Sequence, residues 1–262
     1  SLFFLIVIRA GWNPTHPNYI ATASTDKSIR IYDSRQSKST GERVATPGEN
    51  INISWSPDGR HIGVGNDDDV ITIIDARKLQ ILYQKKYPFQ VNEFDWNRSG
   101  SHLFMTGFGG DATNKTTGTV EIYKFEEENP TFNLDHQFTV PCHTAACYCI
   151  DFDPTGKMFA VGSADANVSL WTLDDLVCTG MVERHENPIR ALSFNHDGGL
   201  IASGSEHTFI DVAETKTGRS VCRISTGSLT NSLQWHPRTN LLAYADDSAG
   251  NVHIAMLEPR RG

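Results

Sequence analysis

The sequence predicts an all-β fold, a β-propeller, and three observations predict it. Six large aromatics recur along the chain, each followed by a turn and two strand-like segments. Their spacing is about 41 to 43 residues, with one longer interval of about 56, and they are Trp12, Trp55, Trp96, Phe152, Phe194 and Trp235. A period of about 40 to 45 residues with four short strands per repeat is typical of propeller blades.

The positions before each aromatic alternate in character. Two residues before it stands an apolar or small side chain: Ala10, Ile53, Phe94, Ile150, Leu192 and Leu233. The residue between is small or polar: Gly11, Ser54, Asp95, Asp151, Ser193 and Gln234. A period of two predicts a strand with one buried face and one face that is not buried.

The segments after the aromatics predict hairpins and inner strands. Pro, Asp and Gly dominate the turns, as in residues 56–59 and 153–156, and such residues favour hairpin connections over helices. Runs of small and β-branched residues follow at 20–24 and 159–163. Small side chains suit the crowded inner part of a radial stack of sheets.

An acidic tight turn then leads to a third strand, in 26–33 and 165–171, and here the chain resembles the WD40 family. That family ends this strand in a Trp-Asp-like pair and places a His before the first strand of a blade. The resemblance implies a structural network of His143, Asp165 and Trp171, with Ser163 as a fourth member. It also implies turn and histidine positions at Asp26 and His185, although Glu206 and Ala213 stand where that last blade would need Asp and Trp.

Length and composition favour a single repeat domain over residues 1–262, because repeat proteins grow by adding units. WD40 propellers are most often seven-bladed, so we expect an N-terminal blade to be missing or incomplete, with a six-bladed ring as the alternative. The apolar residues 2–8 match a first strand. No segment approaches the roughly 18 apolar residues that a membrane helix needs.

One repeat is longer than the others, and two polar stretches share the excess. We expect residues 107–118 to lengthen a turn between strands. We expect residues 126–130 to extend the link from one blade to the next.

The sequence carries no recognised catalytic motif, which favours a non-catalytic protein with no cofactor. Cys142, His143, Cys147 and Cys149 are the residue types that bind zinc, but alternate cysteines on a strand pack as small hydrophobes. The run 67–69 of three Asp falls at a tight turn, which argues against a calcium loop. We therefore predict no metal site, and five scattered cysteines favour a reducing compartment.

A net charge of −8 predicts that the chain repels phosphate as a whole. We expect RNA to be reached only indirectly, through protein partners, with no small-molecule substrate and no membrane. The two arginines at 260–261 are too short a run to change this.

A closer resemblance lies in residues 48–59 (GENINISWSPDG), 64–70 and 74–76, and again in 162–166, 168–171 and 209–214. These segments are similar to the THO complex subunit 3 family. The resemblance implies a scaffold subunit of the THO/TREX complex, which acts in the nucleus in mRNA processing and export. The alternative is a WD40 adaptor of another class, either a ubiquitin-ligase substrate receptor or a chromatin-peptide reader. An enzyme on a propeller is a more distant alternative.

Loops that precede the first strand of a blade usually open on one rim. This places candidate partner contacts at Asn50, Asn52, Gln90, Asn92, Asn187 and Arg190.

Overall fold

A computed structural model of the chain describes residues 7–36, 42–110, 116–128, 131–246 and 251–257. These residues form 23 strands, and none of them lies in an α-helix. The chain divides into two compact units. Unit 1 holds residues 1–105 and 121–138, and unit 2 holds residues 106–120 and 139–262.

The first two sheets belong to unit 1, and the strands of each follow one another in chain order. Sheet 1 contains β1 (Val7–Trp12), β2 (Tyr19–Ser24), β3 (Ser28–Asp33) and β4 (Glu42–Ala45). Sheet 2 contains β5 (Asn50–Trp55), β6 (His61–Asn66), β7 (Val70–Asp75) and β8 (Gln80–Lys86).

Sheet 3 has residues in both units. Its strands are β9 (Gln90–Trp96), β10 (His102–Gly110), β11 (Thr116–Glu128) and β12 (Thr131–His143).

The last three sheets belong to unit 2. Sheet 4 contains β13 (Cys147–Phe152), β14 (Met158–Ser163), β15 (Val168–Thr172) and β16 (Cys178–Val182). Sheet 5 contains β17 (Ile189–Phe194), β18 (Leu200–Ser205), β19 (Phe209–Glu214) and β20 (Ser220–Ser225). Sheet 6 has three strands, β21 (Thr230–Trp235), β22 (Leu241–Asp246) and β23 (Val252–Met256).

The predicted fold class is confirmed. Each of the six aromatics is the last residue of the first strand of its sheet, and turns with positive-φ glycines follow at Gly59, Gly100, Gly156 and Gly198. The described residues form six sheets. The absent N-terminal blade stays a prediction.

The buried aromatics at the ends of first strands pack toward the sheet that precedes their own. Trp55 joins a cluster with Ala21 and Ala23 of sheet 1, and its indole N–H donates to the Gly11 carbonyl at 2.9 Å. In unit 2, Phe194 packs with residues of sheet 4 and Trp235 with residues of sheet 5. Each of these rings therefore lies on the sheet before its own.

Trp12 differs from the other five aromatics, because it is 57% exposed whereas they are at most 8% exposed. No sheet precedes β1 in the part of the chain that the structure describes. The Trp12 ring consequently has no earlier sheet to pack on within unit 1.

The polar residue before each aromatic has a role that the alternation did not reveal. We expected the polar side chains of this strand to lie on an unburied face. Instead, the Ser54 hydroxyl donates to the Asp95 carboxylate of the next sheet at 2.6 Å, and the Asp151 carboxylate accepts from the Phe194 N–H at 2.8 Å. Burial raises the pKa of Asp95, against the hydrogen bond from Ser54 that lowers it. This position therefore joins neighbouring sheets.

The longer repeat extends strands, which corrects our expectation for residues 107–118. The described residues at 107–110 and 116–118 belong to β10 and β11, which have 9 and 13 residues. Residues 126–128 end β11 and lead to β12 of the same sheet, so they do not link two blades. Residues 111–115 and 129–130 lie outside the described part.

The second strand of sheet 4 needs its small residues. A Cβ atom added at Gly162 would lie 2.6 Å from the Cys149 sulfur and 2.6 Å from a methyl carbon of Ile189. Such distances are well inside van der Waals contact, so the inner strand has no room for a larger side chain.

A buried network joins the end of β12 in sheet 3 to β15 and to the β14–β15 turn of sheet 4. The His143 Nδ1 lies 3.0 Å from the Asp165 carboxylate, and its Nε2 lies 2.8 Å from the Ser169 hydroxyl. The Trp171 indole N–H donates to the same hydroxyl at 2.7 Å. The structure thus brings His143, Asp165 and Trp171 together through Ser169, which the sequence analysis missed.

Ser163 lies beside this network with a different task. Its hydroxyl donates to the Ala145 carbonyl at 3.2 Å and accepts from the Asp165 N–H at 3.2 Å. It therefore holds the turn that carries the Asp165 carboxylate.

In sheet 1 the carboxylate of the turn residue Asp26 accepts hydrogen bonds from Ser28 and Arg30, at 2.5 and 2.7 Å. Burial alone would raise the pKa of Asp26, but these hydrogen bonds outweigh it and lower that pKa.

Sheet 5 keeps its histidine with other partners. The two ring nitrogens of His185 lie 2.9 Å from the hydroxyls of Ser203 and Ser205, and the ring stacks on Phe209 with centroids 4.7 Å apart. Burial lowers the pKa of His185 to about 4. Two serine hydroxyls and the face of Phe209 thus contact His185, whereas His143 is held by the network that contains Asp165 and Trp171.

Gly162→Ala should lower the free energy of unfolding by about 1 to 3 kcal/mol, because an added methyl group overpacks the core. Urea denaturation measures the change. Gly180→Ala in the same sheet is the control, since the nearest atom to its added Cβ is 3.7 Å away. Equal effects of the two substitutions would contradict the packing argument.

Asp165→Ala should destabilise the fold by about 1 to 3 kcal/mol, because it leaves the Nδ1 atom of the buried His143 ring without its carboxylate partner. The denaturation midpoint is compared with that of Asp174→Ala, which removes an exposed carboxylate from the same sheet. An unchanged midpoint for Asp165→Ala would show that the network contributes nothing to stability.

The pH dependence of stability should report on His185. Because its pKa is lower in the folded chain than in the unfolded chain, acid protonates the unfolded state first. The stabilisation is complete above about pH 6.5 and declines toward pH 4, with a loss of about 2 kcal/mol at pH 5. Urea denaturation of the wild type and of His185→Gln at pH 7 and pH 5 measures it. The wild type should lose that much more than the variant, and equal losses would contradict the assignment.

Candidate functional site

Two of the predicted contact residues in unit 1 are buried. The Asn50 side chain is 0% exposed, and its amide N–H groups donate to the carbonyls of Ser24 and Ser28 at 3.1 and 3.3 Å. Asn52 is buried as well, and its amide donates to the Asn92 carbonyl at 2.5 Å. These two residues join adjacent sheets, so the surface available to a partner does not include their side chains.

The other predicted contacts are accessible. Gln90 is exposed and Asn92 is half-buried at the start of β9 in unit 1. In unit 2, Asn187 is half-buried, and Arg190 stacks its guanidinium 4.1 Å from the centre of the Tyr148 ring.

The Arg190 Nε also donates to the Glu206 carboxylate at 2.8 Å. Glu206, which stands where an Asp was expected, thus orients an arginine at the surface. Stacking and ion pairing both restrict the rotamers of Arg190, which lowers the entropy that it would lose on binding.

A cavity of about 780 Å³ lies in unit 1, at the other end of the strands from these loops. We call it the rim cavity. The turns β1–β2, β3–β4, β5–β6 and β7–β8 line it, together with Glu127 of β11. Its volume is in the range of ordinary ligand pockets. Sequence analysis missed the rim cavity, and the signal available was the Asn or Asp that begins most of these turns.

Side-chain oxygens within these turns accept the hydrogen bonds of several backbone N–H groups. Asn13 accepts the N–H groups of Thr15 and His16, each at 2.9 Å. Asp75 accepts those of Arg77 and Lys78, at 2.9 and 2.8 Å. The turns are therefore rigid, and these amides are not available to bind an anion.

The carboxylates of the rim cavity are already engaged by cations. Arg35 holds Asp33 at 2.6 Å, and Arg60 holds Asp58 at 2.6 Å and Glu127 at 3.4 Å. Burial alone would raise the pKa of Asp58, but hydrogen bonds from Ser56 and Arg60 outweigh it and lower that pKa to about 2. Hydrogen bonds from Arg35 likewise lower the pKa of Asp33 to about 2, so Asp33 and Asp58 are ionised and paired at neutral pH.

Three of the residues considered for zinc, His143, Cys147 and Cys149, are buried in the structure. Cys147 and Cys149 are buried, burial raises the pKa of the Cys147 thiol, and the His143 ring is engaged in the sheet 4 network. Within the described ranges, no group of three or more His, Cys, Asp or Glu side chains could hold a metal ion.

The predicted turn at 67–69 is present, and Asp69 accepts the Val91 N–H at 2.9 Å. Among the described residues, no helix is long and apolar enough to span a membrane.

Comparison with known proteins agrees with the fold and the repeat. The family model of the WD domain, G-beta repeat (WD40) matches residues 8–33, 134–172 and 176–210. The chain is 36% identical over 242 residues to WD repeat-containing protein AAC3 of Dictyostelium discoideum, which covers 91% of this chain and 48% of that protein. It is 22% identical over 220 residues to Protein TEX1 of Saccharomyces cerevisiae, covering 79% and 49%. The chain thus spans about half the length of these two relatives.

A stronger match is to THO complex subunit 3 of Arabidopsis thaliana. The two sequences are 46% identical over 236 residues, which make up 90% of this chain and 70% of that protein. With the six sheets described above, this identity shows that the chain is a WD40-repeat protein and belongs to the THO complex subunit 3 family.

Proposed function

We propose that this chain is a non-catalytic scaffold subunit of a nuclear THO/TREX assembly that acts in mRNA processing and mRNA export. The observation that carries the proposal is the 46% identity to THO complex subunit 3 over 90% of the chain.

The physical properties of the chain support a scaffold role. Short strands joined by turns whose side chains cap the backbone make rigid sheets, and rigid surfaces bind partners with a small loss of entropy. The accessible predicted contacts are Gln90 and Asn92 in unit 1 and Asn187 and Arg190 in unit 2. An arginine stacked on a tyrosine is the type of residue that often dominates binding energy at an interface.

The charge supports an indirect route to RNA. Neutralising phosphates requires several cations close together, and the chain carries a net charge of −8. We propose that other protein subunits make the RNA contacts and that this chain positions them.

Replacing Gln90, Asn92, Asn187 and Arg190 together by Ala should release the chain from its endogenous complex without unfolding it. Gln90 is exposed and the other three are half-buried at the surface, and surface substitutions away from the core usually change stability by within about 0.5 kcal/mol each. Affinity purification from nuclear extract, with quantification of THO subunits, measures the release. Lys216→Ala with Arg219→Ala is the control for changes at an exposed turn.

Two results would contradict the proposal. One is a tagged wild-type chain that brings down no THO subunit from nuclear extract. The other is tight RNA binding by the isolated chain at physiological salt, which would make the RNA contact direct. Full assembly of the quadruple variant would instead move the interface to another surface.

A further inference from the structure

Sheet 6 in unit 2 leaves one apolar face of its last strand exposed. The side chains of Val252, Ile254 and Met256 are 74%, 73% and 69% exposed, and they are the three most exposed large apolar side chains among the described residues. They alternate along β23, so they point to the same side of the sheet. Apolar side chains grouped at the surface in this way typically mark a binding surface.

Two small residues of β22 lie on the same face. Ala243 pairs with Ile254, and Ala245 pairs with Val252, in the antiparallel register of sheet 6. Residues directly opposite each other in such a ladder share a face. The face of sheet 6 therefore has small side chains in its middle strand beside large apolar side chains in its last strand. We call it the open face of sheet 6.

Sheet 1 shows how the chain covers a face of this composition. In sheet 1 the small residue Ala23 pairs with Ile29, as Ala245 pairs with Val252 in sheet 6. Ala23 and Ile29 are 0% and 1% exposed, because they pack in one cluster with Trp55 of the next sheet. The open face of sheet 6 thus matches an aromatic at the end of a first strand, and no described residue of unit 2 covers it.

Unit 1 carries an aromatic of that kind that is not buried. Trp12 ends the first strand of sheet 1, as Trp55 ends the first strand of sheet 2, and it is 57% exposed. Ala10, two residues earlier, is exposed as well. One chain therefore presents both partners of the contact that joins sheets 1 and 2, the aromatic ring on unit 1 and the small-residue face on unit 2.

We propose that copies of the chain associate head to tail, with Trp12 of one copy packed against Ala243 and Ala245 of the next. The two surfaces differ, so the contact is heterologous, and each bound copy still offers one surface to a further copy. Burial of the indole ring and of the apolar side chains of β23 drives the association. The proposed THO/TREX role does not depend on this contact, because none of the predicted partner contacts belongs to either surface.

Sedimentation velocity of the whole purified chain over a series of concentrations tests the proposal. The sedimentation coefficient of the wild type should rise with concentration. Trp12→Ser removes the ring, and Ala243→Arg places a long charged side chain on the open face. Each substitution by itself should weaken self-association by about tenfold or more, because it removes or blocks the burial of a large apolar side chain.

Mixing the two variants is the sharper test. The Ala243→Arg copy keeps its Trp12 ring, and the Trp12→Ser copy keeps its open face, so one intact contact can form between them. The mixture should form dimers and no larger species, since the remaining surface of each copy is disabled. A contact that used the same surface on both copies could not be restored in this way.

Phe138→Ser is the matched control, because Phe138 is 55% exposed and lies in sheet 3, away from both surfaces. This control should leave the association constant within about twofold, a difference of only about 0.4 kcal/mol. All three substitutions change residues that are exposed or half-buried, and denaturation midpoints equal to that of the wild type verify that the variants are folded.

A wild-type chain that stays monomeric at every concentration would overturn the proposal, and it would favour a further sheet as the cover of the open face. An equal loss of association in Phe138→Ser would overturn it as well, as would a mixture of the two variants that stays monomeric. None of these measurements involves THO subunits, so the self-association and the proposed function can each fail alone.

Discussion

The rest of the fold depends on one packing relation, in which an aromatic at the end of a first strand, as at Trp55, Phe194 and Trp235, packs against the sheet before it. The Trp55 ring reaches the backbone of Gly11 and lies among Ala21 and Ala23, which are fully buried. Such a large ring can approach a neighbouring sheet only where the facing residues are small. This single constraint explains both the aromatic period and the small residues of the second strands, because each is the complement of the other.

Polar groups in the sheets follow a second constraint, since a buried donor or acceptor is costly unless it is paired. The buried histidines that precede the first strands of sheets 4 and 5 are satisfied differently. His143 takes a carboxylate and a serine, whereas His185 takes two serines and the face of Phe209. The loss of Asp and Trp in sheet 5 is thus compensated locally, and burial of the His185 ring lowers its pKa.

The two ends of the strands in unit 1 have different uses. At the end where β5 begins, the side-chain amides of Asn50 and Asn52 donate hydrogen bonds to adjacent sheets. At the end where β5 finishes, capped turns surround the rim cavity. Several acids at this end are paired within the fold, Asp33 with Arg35 and both Asp58 and Glu127 with Arg60.

The sequence by itself determined the repeat and its short strands, since these depend on spacing along the chain and on side-chain size. The grouping of His143, Asp165 and Trp171 followed from the resemblance to the WD40 family. The sequence did not reveal Ser169 as the link between them, nor the burial of Asn50, because such contacts depend on register between strands. The exposure of Trp12 and the existence of the rim cavity were decided only by the tertiary structure. Both depend on which sheet lies beside which, and residues distant in sequence create that surface together.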